Sequence, residues 1–553
     1  MQPLVSKLLV IFLIITTQRV APVLANIDTE SIQEIIKLKL EKQKSAVGVS
    51  IAIIENGNIE YLSFGVTEQG NKTPVTAATL FEIGSISKTF TSMALASMVT
   101  EGRVKLSDPV QQYLPKSVKM PTKNGKTITL LSLANHMSGL PRLPDNMPFG
   151  DPADPYADYT LELLYEFLNS YELTREIDAQ LEYSNLAVGL LGHILELIDN
   201  KTYQQVIYDR VFSPLGLASS FVDVPESHKA LLSNGHDAGL NVVKHWQLPA
   251  LAGAGAIKSN IKDMAQYLKA NLNPEFDFVK LTHKQTTGGD NEGPKVGLAW
   301  FTSEHDKGSY LWHNGGTGGF RSFMGVDQTN NKGIVILENT ANGLDALGNA
   351  YLQGTLAQLR SDILNVKMVD ERKLARLNGE YELAPGLIMA VSNQAQQLFV
   401  QVTGQTILPV TAKSDIEFVQ TAVGAKIIFE LNDKGEVPYL TLEQAGRKIK
   451  ALKLDPNRPN EHDNKVTLTQ TELDNLNGIY ELSSNFAITI TNENAQLIIQ
   501  ATSQPKIPFE TKSKSEFSNA MVQARIVFEL DAAGKATSLT LFQSGQALKG
   551  LKK

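Results

Sequence analysis

Phe81-Glu82-Ile83-Gly84-Ser85-Ile86-Ser87-Lys88 is the stretch on which the reading of this chain turns. A glycine precedes Ser85, and from Ile86 onward apolar or small residues recur at helical spacing: Phe90, Met93, Ala94, Ser97 and Met98. The pattern predicts a helix with Ser85 at its N-terminus and Lys88 one turn along on the same face. A hydroxyl so placed suits covalent catalysis. The amine can take or hold its proton, and the helix dipole favours negative charge developing beside it. Alone, a serine three residues before a lysine is also what a helix N-cap beside a solvated charge looks like. Ser259 with Lys262 and Ser503 with Lys506 have the same spacing and read as ordinary surface pairs.

Two clusters downstream change that balance. Tyr183-Ser184-Asn185 comes first, then His313-Asn314-Gly315, which follows Leu311-Trp312 and precedes Gly316-Thr317-Gly318-Gly319-Phe320. A serine-x-x-lysine, a tyrosine-x-asparagine and a basic-residue-x-glycine in this order resemble the three motifs of the penicillin-recognising serine hydrolases. That family includes class C β-lactamases, D-alanyl-D-alanine carboxypeptidases, D-aminopeptidases and related esterases. The flanking blocks are similar to it as well: Leu106-Ser107-Asp108-Pro109-Val110 with Tyr113-Leu114-Pro115, Leu130 to Pro141, and Phe212-Ser213-Pro214-Leu215-Gly216-Leu217. The resemblance covers roughly residues 30 to 366.

The resemblance implies roles at the matching positions. Ser85 is the expected acylated nucleophile. Lys88 is expected to keep its hydroxyl deprotonatable, as a neutral amine or by lowering the pKa of its neighbour. Tyr183 is the expected second proton-transfer group, as a phenolate or through a proton shared with Lys88. A phenol titrates near 10, so ionisation there requires a cation close by. Asn185 is expected to hold the substrate amide and to orient Lys88, and His313 to contact the substrate carboxylate or the tyrosine. Gly315 and Gly316 let a substrate backbone approach their strand closely. The N–H groups of Ser85 and Gly316 are the expected oxyanion hole. No metal and no organic cofactor are implied.

One position departs from the antibiotic-hydrolysing branch, which usually carries lysine where this chain has His313. A histidine near its reference pKa of about 6.5 is mostly neutral at pH 7, a weaker match for a permanent carboxylate. The expected activity is therefore an acyl-enzyme hydrolase of D-amino-acid peptides, amides or esters. A class C-type β-lactamase is the alternative, and a sensor that captures a wall peptide or β-lactam without turnover is the reading from a different class. The chain lacks G-x-S-x-G, so the triad of the α/β-hydrolase fold is not expected.

Composition narrows the field. Of 553 residues none is cysteine, which removes disulfides and thiolate catalysis. A net charge of −7 without a sustained basic run argues against nucleic acid as a partner. Lys7 followed by the apolar run Leu8 to Ile15 and then Val23-Leu24-Ala25 has the layout of a secretory signal peptide. A secreted or periplasmic protein follows, with no membrane span once the signal is removed; the expected partner is a small-molecule or peptide substrate, and oligomeric state is left open.

Strands are predicted at Ala46–Ile54 and Asn58–Val66 about an Asn-Gly turn, and at Ser309–His313, Phe320–Asp327 and Gly333–Leu337. Helices are predicted over Ile32–Lys44 and Leu344–Leu364. Strands at both ends and a helix-rich middle give an α+β catalytic domain, an antiparallel sheet with helices packed on it. The tail repeats itself at a constant offset of 99: Leu377 to Leu383 matches Leu476 to Leu482, Phe429-Glu430-Leu431 matches Phe528-Glu529-Leu530, and Leu440-Thr441-Leu442 matches Leu539-Thr540-Leu541. Short alternating strands and Gly-, Asn- and Asp-rich turns make each copy a small antiparallel β-barrel. The expected domains are a signal segment 1–25, the catalytic domain 26–368, barrels at 369–454 and 469–553, and a polar linker 455–468.

Overall fold

A computed structural model describes residues 29–553 apart from 43–44, 149, 152, 288–293, 365–368, 385–386, 395–396, 403–407, 421–423, 445–446, 456–467, 484–485, 494–495, 503–505, 520–523, 532 and 544–545. The expected signal segment, Ser503 and all but the ends of the expected linker lie outside the described residues.

Gly48–Glu55 carries an almost unbroken apolar run because both of its faces are covered. Val49, Ile51 and Ile53 pack with Ile32, Ile35 and Ile36 of the helix Thr29–Lys37 and with Leu347 and Tyr351 of the helix Asp345–Gln353. Ala52 and Ile54 face the other way, into the larger core of Phe90, Met93, Met264 and Leu268. Lys332–Glu338 alternates in the same manner, Ile334 and Ile336 to one side, Val335 and Leu337 to the other. These two strands are antiparallel neighbours, with Ile51 opposite Ile336.

They sit in a seven-stranded sheet ordered Asn58–Gly65, Gly48–Glu55, Lys332–Glu338, Arg321–Asp327, Gly308–Gly316, Phe301–His305, Lys295–Val296, with every adjacent pair antiparallel. The first two turn through Asn56 and Gly57, both at positive φ, as the Asn-Gly signal requires. The last two strands escaped the sequence reading. Phe301 to His305 is half-buried at the sheet's margin, so its residues show no clean alternation.

Two helices also differ from expectation. Thr29–Lys37 continues only as a π-helical turn over Leu38–Lys42. The helix read through Leu344–Leu364 is two, Asp345–Gln353 and Leu356–Leu364, because Gly354 ends the first in the left-handed conformation at φ +73. Ser259 is not a surface residue either. It is fully buried with its Oγ 2.8 Å from Ser220 Oγ, and the short strand Lys258–Ser259 pairs with Phe81–Glu82; of that serine-lysine pair only Lys262 is exposed.

The tail forms two closed eight-stranded barrels, Gly379–Lys453 and Gly478–Lys552. They repeat down to single bonds: Tyr381 donates to the Leu377 carbonyl and Tyr480 to the Leu476 carbonyl, each at 2.7 Å. Among the described residues no helix is long and apolar enough to cross a membrane.

Candidate active site

Ser85 lies in a one-turn 3-10 helix, Gly84–Ile86, that feeds directly into the α-helix Ser87–Thr100. The helix is buried on all sides from Ser87 to Met98, and most of its small polar residues find partners there. Thr91 Oγ1, for example, lies 2.7 Å from the Gly253 carbonyl it donates to and 2.7 Å from the Tyr203 hydroxyl. Within the run Phe81 to Lys88 only Ser85 retains solvent exposure. Lys88 Nζ donates to Ser85 Oγ at 3.0 Å and to the Ala254 carbonyl at 2.7 Å. That carbonyl comes close because Gly253 meets Gly192 and Val188 backbone to backbone, where a Cβ would lie 2.7 Å from the Val188 oxygen.

Tyr183 reaches the same point from the far side of the cleft. Its phenol is close enough for the Ser85 side chain to act on its ionisation, and Lys88 Nζ lies 4.8 Å from its ring centroid. Three bonds fix the turn that carries it: Glu182 N–H to the His136 carbonyl at 3.0 Å, Ser184 N–H to His136 Nδ1 at 3.2 Å, and Ser184 Oγ to the Pro141 carbonyl at 2.6 Å. The His136 ring packs on the Tyr183 ring with centroids 4.6 Å apart. Asn185 starts the helix Asn185–Asp199, capped by Ser184. It donates to the Tyr156 hydroxyl at 2.9 Å, while its Oδ1 is buried without a partner. The amine of Lys88 is thus oriented by Ala254 and not by Asn185, a difference from the expected arrangement.

The strand Gly308–Gly316 closes the site. Ser322 Oγ on its neighbour donates to the Ile83 carbonyl at 2.8 Å and ties the serine turn to the sheet. A Cβ on Gly315 would sit 2.1 Å from that carbonyl, and one on Gly84 would sit 2.6 Å from the Gly316 nitrogen. Thr317 N–H bonds the Phe320 carbonyl. Bonded pairs alternate along an antiparallel ladder, so the Gly316–Arg321 pair is a non-bonded one and the Gly316 N–H points away from that strand. On its other side the next strand ends at Phe301, opposite Trp312. Among the described residues neither neighbouring strand therefore accepts from the Gly316 N–H, which stands beside the Ser85 turn.

His313 is 1 % exposed, on the same face of the strand as Gly315. Its Nδ1 donates to the Asn314 carbonyl at 2.5 Å, and its Nε2 is buried with no partner. Burial, and then the Lys88 charge, push its pKa down to about 3, so the ring is neutral at physiological pH. Burial likewise holds Lys88 well below the ordinary ammonium range, with Arg142 adding to the effect. The Tyr183 phenol is driven up by burial, which outweighs the lowering by Ser85 and by Arg142. Electrostatically the site pairs a readily deprotonated amine with a protonated phenol, whereas the sequence had left a phenolate open. Such an arrangement can accept a proton from Ser85 at Lys88 and deliver one from Tyr183.

The structure thus brings Ser85, Lys88, Tyr183, Asn185, His313, Gly315 and Gly316 into one cleft. Sequence reading missed four contributors: His136, Arg142, Ala254 and Ser322. The first two belong to or adjoin the block Leu130 to Pro141, noticed only as a similarity. The run Ala252-Gly253-Ala254-Gly255 signals a close backbone approach and would have pointed to the third. Ser322 gives no sequence signal. Among the described residues no group of three or more His, Cys, Asp or Glu side chains is arranged to hold a metal ion.

Comparison with known proteins agrees with the geometry. The family model described as Beta-lactamase matches residues 32–358. A beta-lactamase of Pseudomonas fluorescens is 31 % identical over 235 residues, 42 % of this chain and 62 % of that protein, so the chain spans less than two thirds of that relative's length. The D-alanyl-D-alanine-carboxypeptidase/endopeptidase AmpH of Escherichia coli (strain K12) is 27 % identical over 316 residues, 53 % of this chain and 79 % of AmpH. The octameric penicillin-binding protein homologue from Pyrococcus abyssi shares the fold with a TM-score of 0.54 at 21 % identity, covering 76 % of this chain and all of that one.

Proposed function

The chain belongs to the beta-lactamase family, serine hydrolases that include carboxypeptidases, and from that premise we propose that it hydrolyses D-amino-acid peptides or related amides and esters through an acyl-enzyme at Ser85. The carrying observation is the contact of Lys88 Nζ with Ser85 Oγ at 3.0 Å inside a desolvated pocket. With Lys88 neutral, one N–H stays on the Ala254 carbonyl and the lone pair accepts the Ser85 proton. Ser85 Oγ bonds to the substrate carbonyl carbon, and the oxyanion takes hydrogen bonds from the N–H groups of Ser85 and Gly316. One such donor is worth about 3 kcal/mol in the transition state. Tyr183 then gives its proton to the leaving nitrogen or oxygen as the bond to carbon breaks, and Lys88 returns a proton to the phenolate. Water hydrolyses the ester to release the acid. The orphaned Asn185 Oδ1 is a ready acceptor for a substrate amide N–H.

The neutral, buried His313 supports the peptidase and esterase reading over the β-lactamase one, since it brings no positive charge to an antibiotic's carboxylate. Extracytoplasmic work is part of the proposal and rests on the apolar N-terminal run. The test is substrate profiling of the wild type beside Ser85→Ala on D-Ala-D-Ala peptides, D-amino-acid amides, a cephalosporin and short-chain aryl esters, with mass spectrometry for a penicilloyl adduct. Loss of both turnover and adduct in Ser85→Ala is expected. Equal activity of the two proteins refutes the nucleophile, and rapid cephalosporin turnover with inert peptides makes the protein a β-lactamase.

A further inference from the structure

Arg321 stands opposite Gly316 in one ladder and opposite Glu338 in the next, so the three share the sheet face that His313 and Gly315 do not use. Its guanidinium lies against Gly316, where a Cβ would be 2.7 Å from Nη1. Nη1 donates to the Thr317 and Phe320 carbonyls at 2.9 and 3.0 Å and so clamps the turn that follows Gly316. Three charged groups face Glu338: Arg321, Lys39 from the π-helical turn, and Asp345 from the helix Asp345–Gln353. A Cβ on Gly343 would be 3.7 Å from Arg321 Cγ and 3.9 Å from Glu338 Oε1, so the arginine stem borders the orphaned carboxyl oxygen. Among the described residues Arg321 nonetheless forms no ion pair with Glu338 or Asp345. Burial, and then Asp345, raise the Glu338 pKa to about 8, so at neutral pH it is an uncharged acid.

We propose that Arg321 is the positioning residue for the Gly316 oxyanion donor and that Glu338 is its switch: the protonated acid leaves the guanidinium on the turn, and the carboxylate draws it off and slows acylation. The inference rests on the hydrolase reading above and gives that site an alkaline control. Two sets of acceptors compete for one cation. The donors of a guanidinium move together as a rigid fork, and a bond to a carboxylate is roughly twice as strong as one to a neutral carbonyl. An ionised Glu338 is within reach, since side chains directly opposite in a ladder have Cβ atoms about 4.5–5.5 Å apart. Lys39 is the competing partner for that charge, but burial lowers its own pKa and weakens its claim. When Nη1 leaves, the turn loses two bonds and Gly316 loses the group packed on it. An oxyanion donor must lie within about 2.7–3.1 Å of the developing charge, so a small shift of Gly316 costs rate.

The test follows kcat on an aryl acetate from about pH 6 to 9.5 in wild type, Glu338→Gln, Arg321→Met and Arg321→Lys, with circular dichroism confirming the folded state at each pH. Wild-type kcat should fall at least about tenfold between pH 7 and 9.5, with KM little changed. Glu338→Gln should keep its neutral rate throughout, because an amide does not ionise. Arg321→Met should start about tenfold or more below wild type at pH 7 and show no further alkaline fall. Arg321→Lys should recover part of that rate. A Glu338→Gln profile that repeats the wild-type fall overturns the switch. So does a wild-type rate that stays flat through pH 8, which would mean that Lys39 takes the charge. Undiminished kcat in Arg321→Met overturns the clamp, and if that variant does not fold, the Glu338→Gln profile decides alone. In each of these cases Ser85-dependent ester turnover leaves the hydrolase standing. A wild type with no ester turnover and no fluorophosphonate adduct at Ser85 overturns both readings.

Discussion

Gly84 and Gly316 meet backbone to backbone: a Cβ on Gly84 would stand 2.6 Å from the Gly316 nitrogen and 3.0 Å from its carbonyl carbon and oxygen. Gly84 also adopts φ +50. The serine turn and the strand Gly308–Gly316 therefore dock without side chains between them, and the docking sets the spacing of the two proposed oxyanion donors.

Gly84→Ala tests that spacing. It incurs the left-handed penalty of about 1–2 kcal/mol and a clash with backbone that can be relieved only by parting the turn from the strand. The expected result is a fall of at least about tenfold in kcat on an aryl ester, beyond the modest loss of Tm. Gly102→Ala is the control, since φ is +73 there with open space around the Cβ, and it should lose stability alone. Equal activity losses in the two variants would disprove a role for the Gly84 contact.

Lys88→Met removes the amine and fills the same space. Catalysis by positioned proton transfer predicts a rate loss of roughly 10²–10⁴ on ester and peptide. Folding should change much less. Relief of a buried, desolvated amine offsets the Ala254 carbonyl it leaves unpaired, a cost of about 1–3 kcal/mol. Urea midpoints and acylation rates measured on one preparation separate the two effects. Because burial lowers the pKa of Lys88, the wild-type rate should not climb toward the ordinary lysine value of about 10.4. A rate that tracks that value would rule out the neutral-amine role.

His313 sets an acid-side linkage. Its folded pKa is near 3 against 6.5 in the unfolded chain. Between those values the unfolded chain binds a proton that the folded one refuses, so stability falls as pH drops from 6.5 toward 3. One such proton changes stability by about 1.4 kcal/mol per pH unit. His136, also driven down by burial, contributes in the same direction. His313→Asn should flatten the slope of unfolding free energy over that window, read by urea titration at several pH values. An imidazole resonance of residue 313 that titrates near 6.5 in NMR would contradict the buried, neutral ring.

How much of this was legible in the chain depends on the range of the physics. The helix after Ser85, the Asn56-Gly57 hairpin and the 99-residue repeat are written in local periodicity and turn chemistry. The order of Ser85, Tyr183 and His313 located the cleft through resemblance, without showing what surrounds each group. Protonation states were not legible, because burial of His313 and Tyr183 depends on Phe301, His136 and the strands around them. Ala254 and Ser322 act through one carbonyl and one hydroxyl from segments far away in sequence, and no local pattern marks them. Gly354 could have split the last helix on sight; the apolar spacing on both sides of it masked the break.

Glu338 gives the opposite linkage from the far side of the catalytic strand. Asn314 alternates with His313 and donates to Asp345 Oδ2 at 2.6 Å, placing a second carboxylate next to Glu338. Glu338 is 1 % exposed, and its Oε1 has no partner. Burial first, then Asp345, raise its pKa to about 8, against the lowering by Lys39, Arg321 and the Gly343 N–H. At neutral pH the folded protein therefore holds a proton that the unfolded chain, with a carboxyl near 4.5, has released. The sign follows: stability falls as pH rises from 4.5 through 8, and full loss is reached only above the folded value. Glu338→Gln mimics the protonated acid, so it should remove that slope and raise Tm relative to wild type at pH 8.5 while matching it near pH 5. A wild-type Tm that is flat across this interval, or a Gln variant that is less stable at both pH values, would show that Glu338 is ionised and paired in the folded chain.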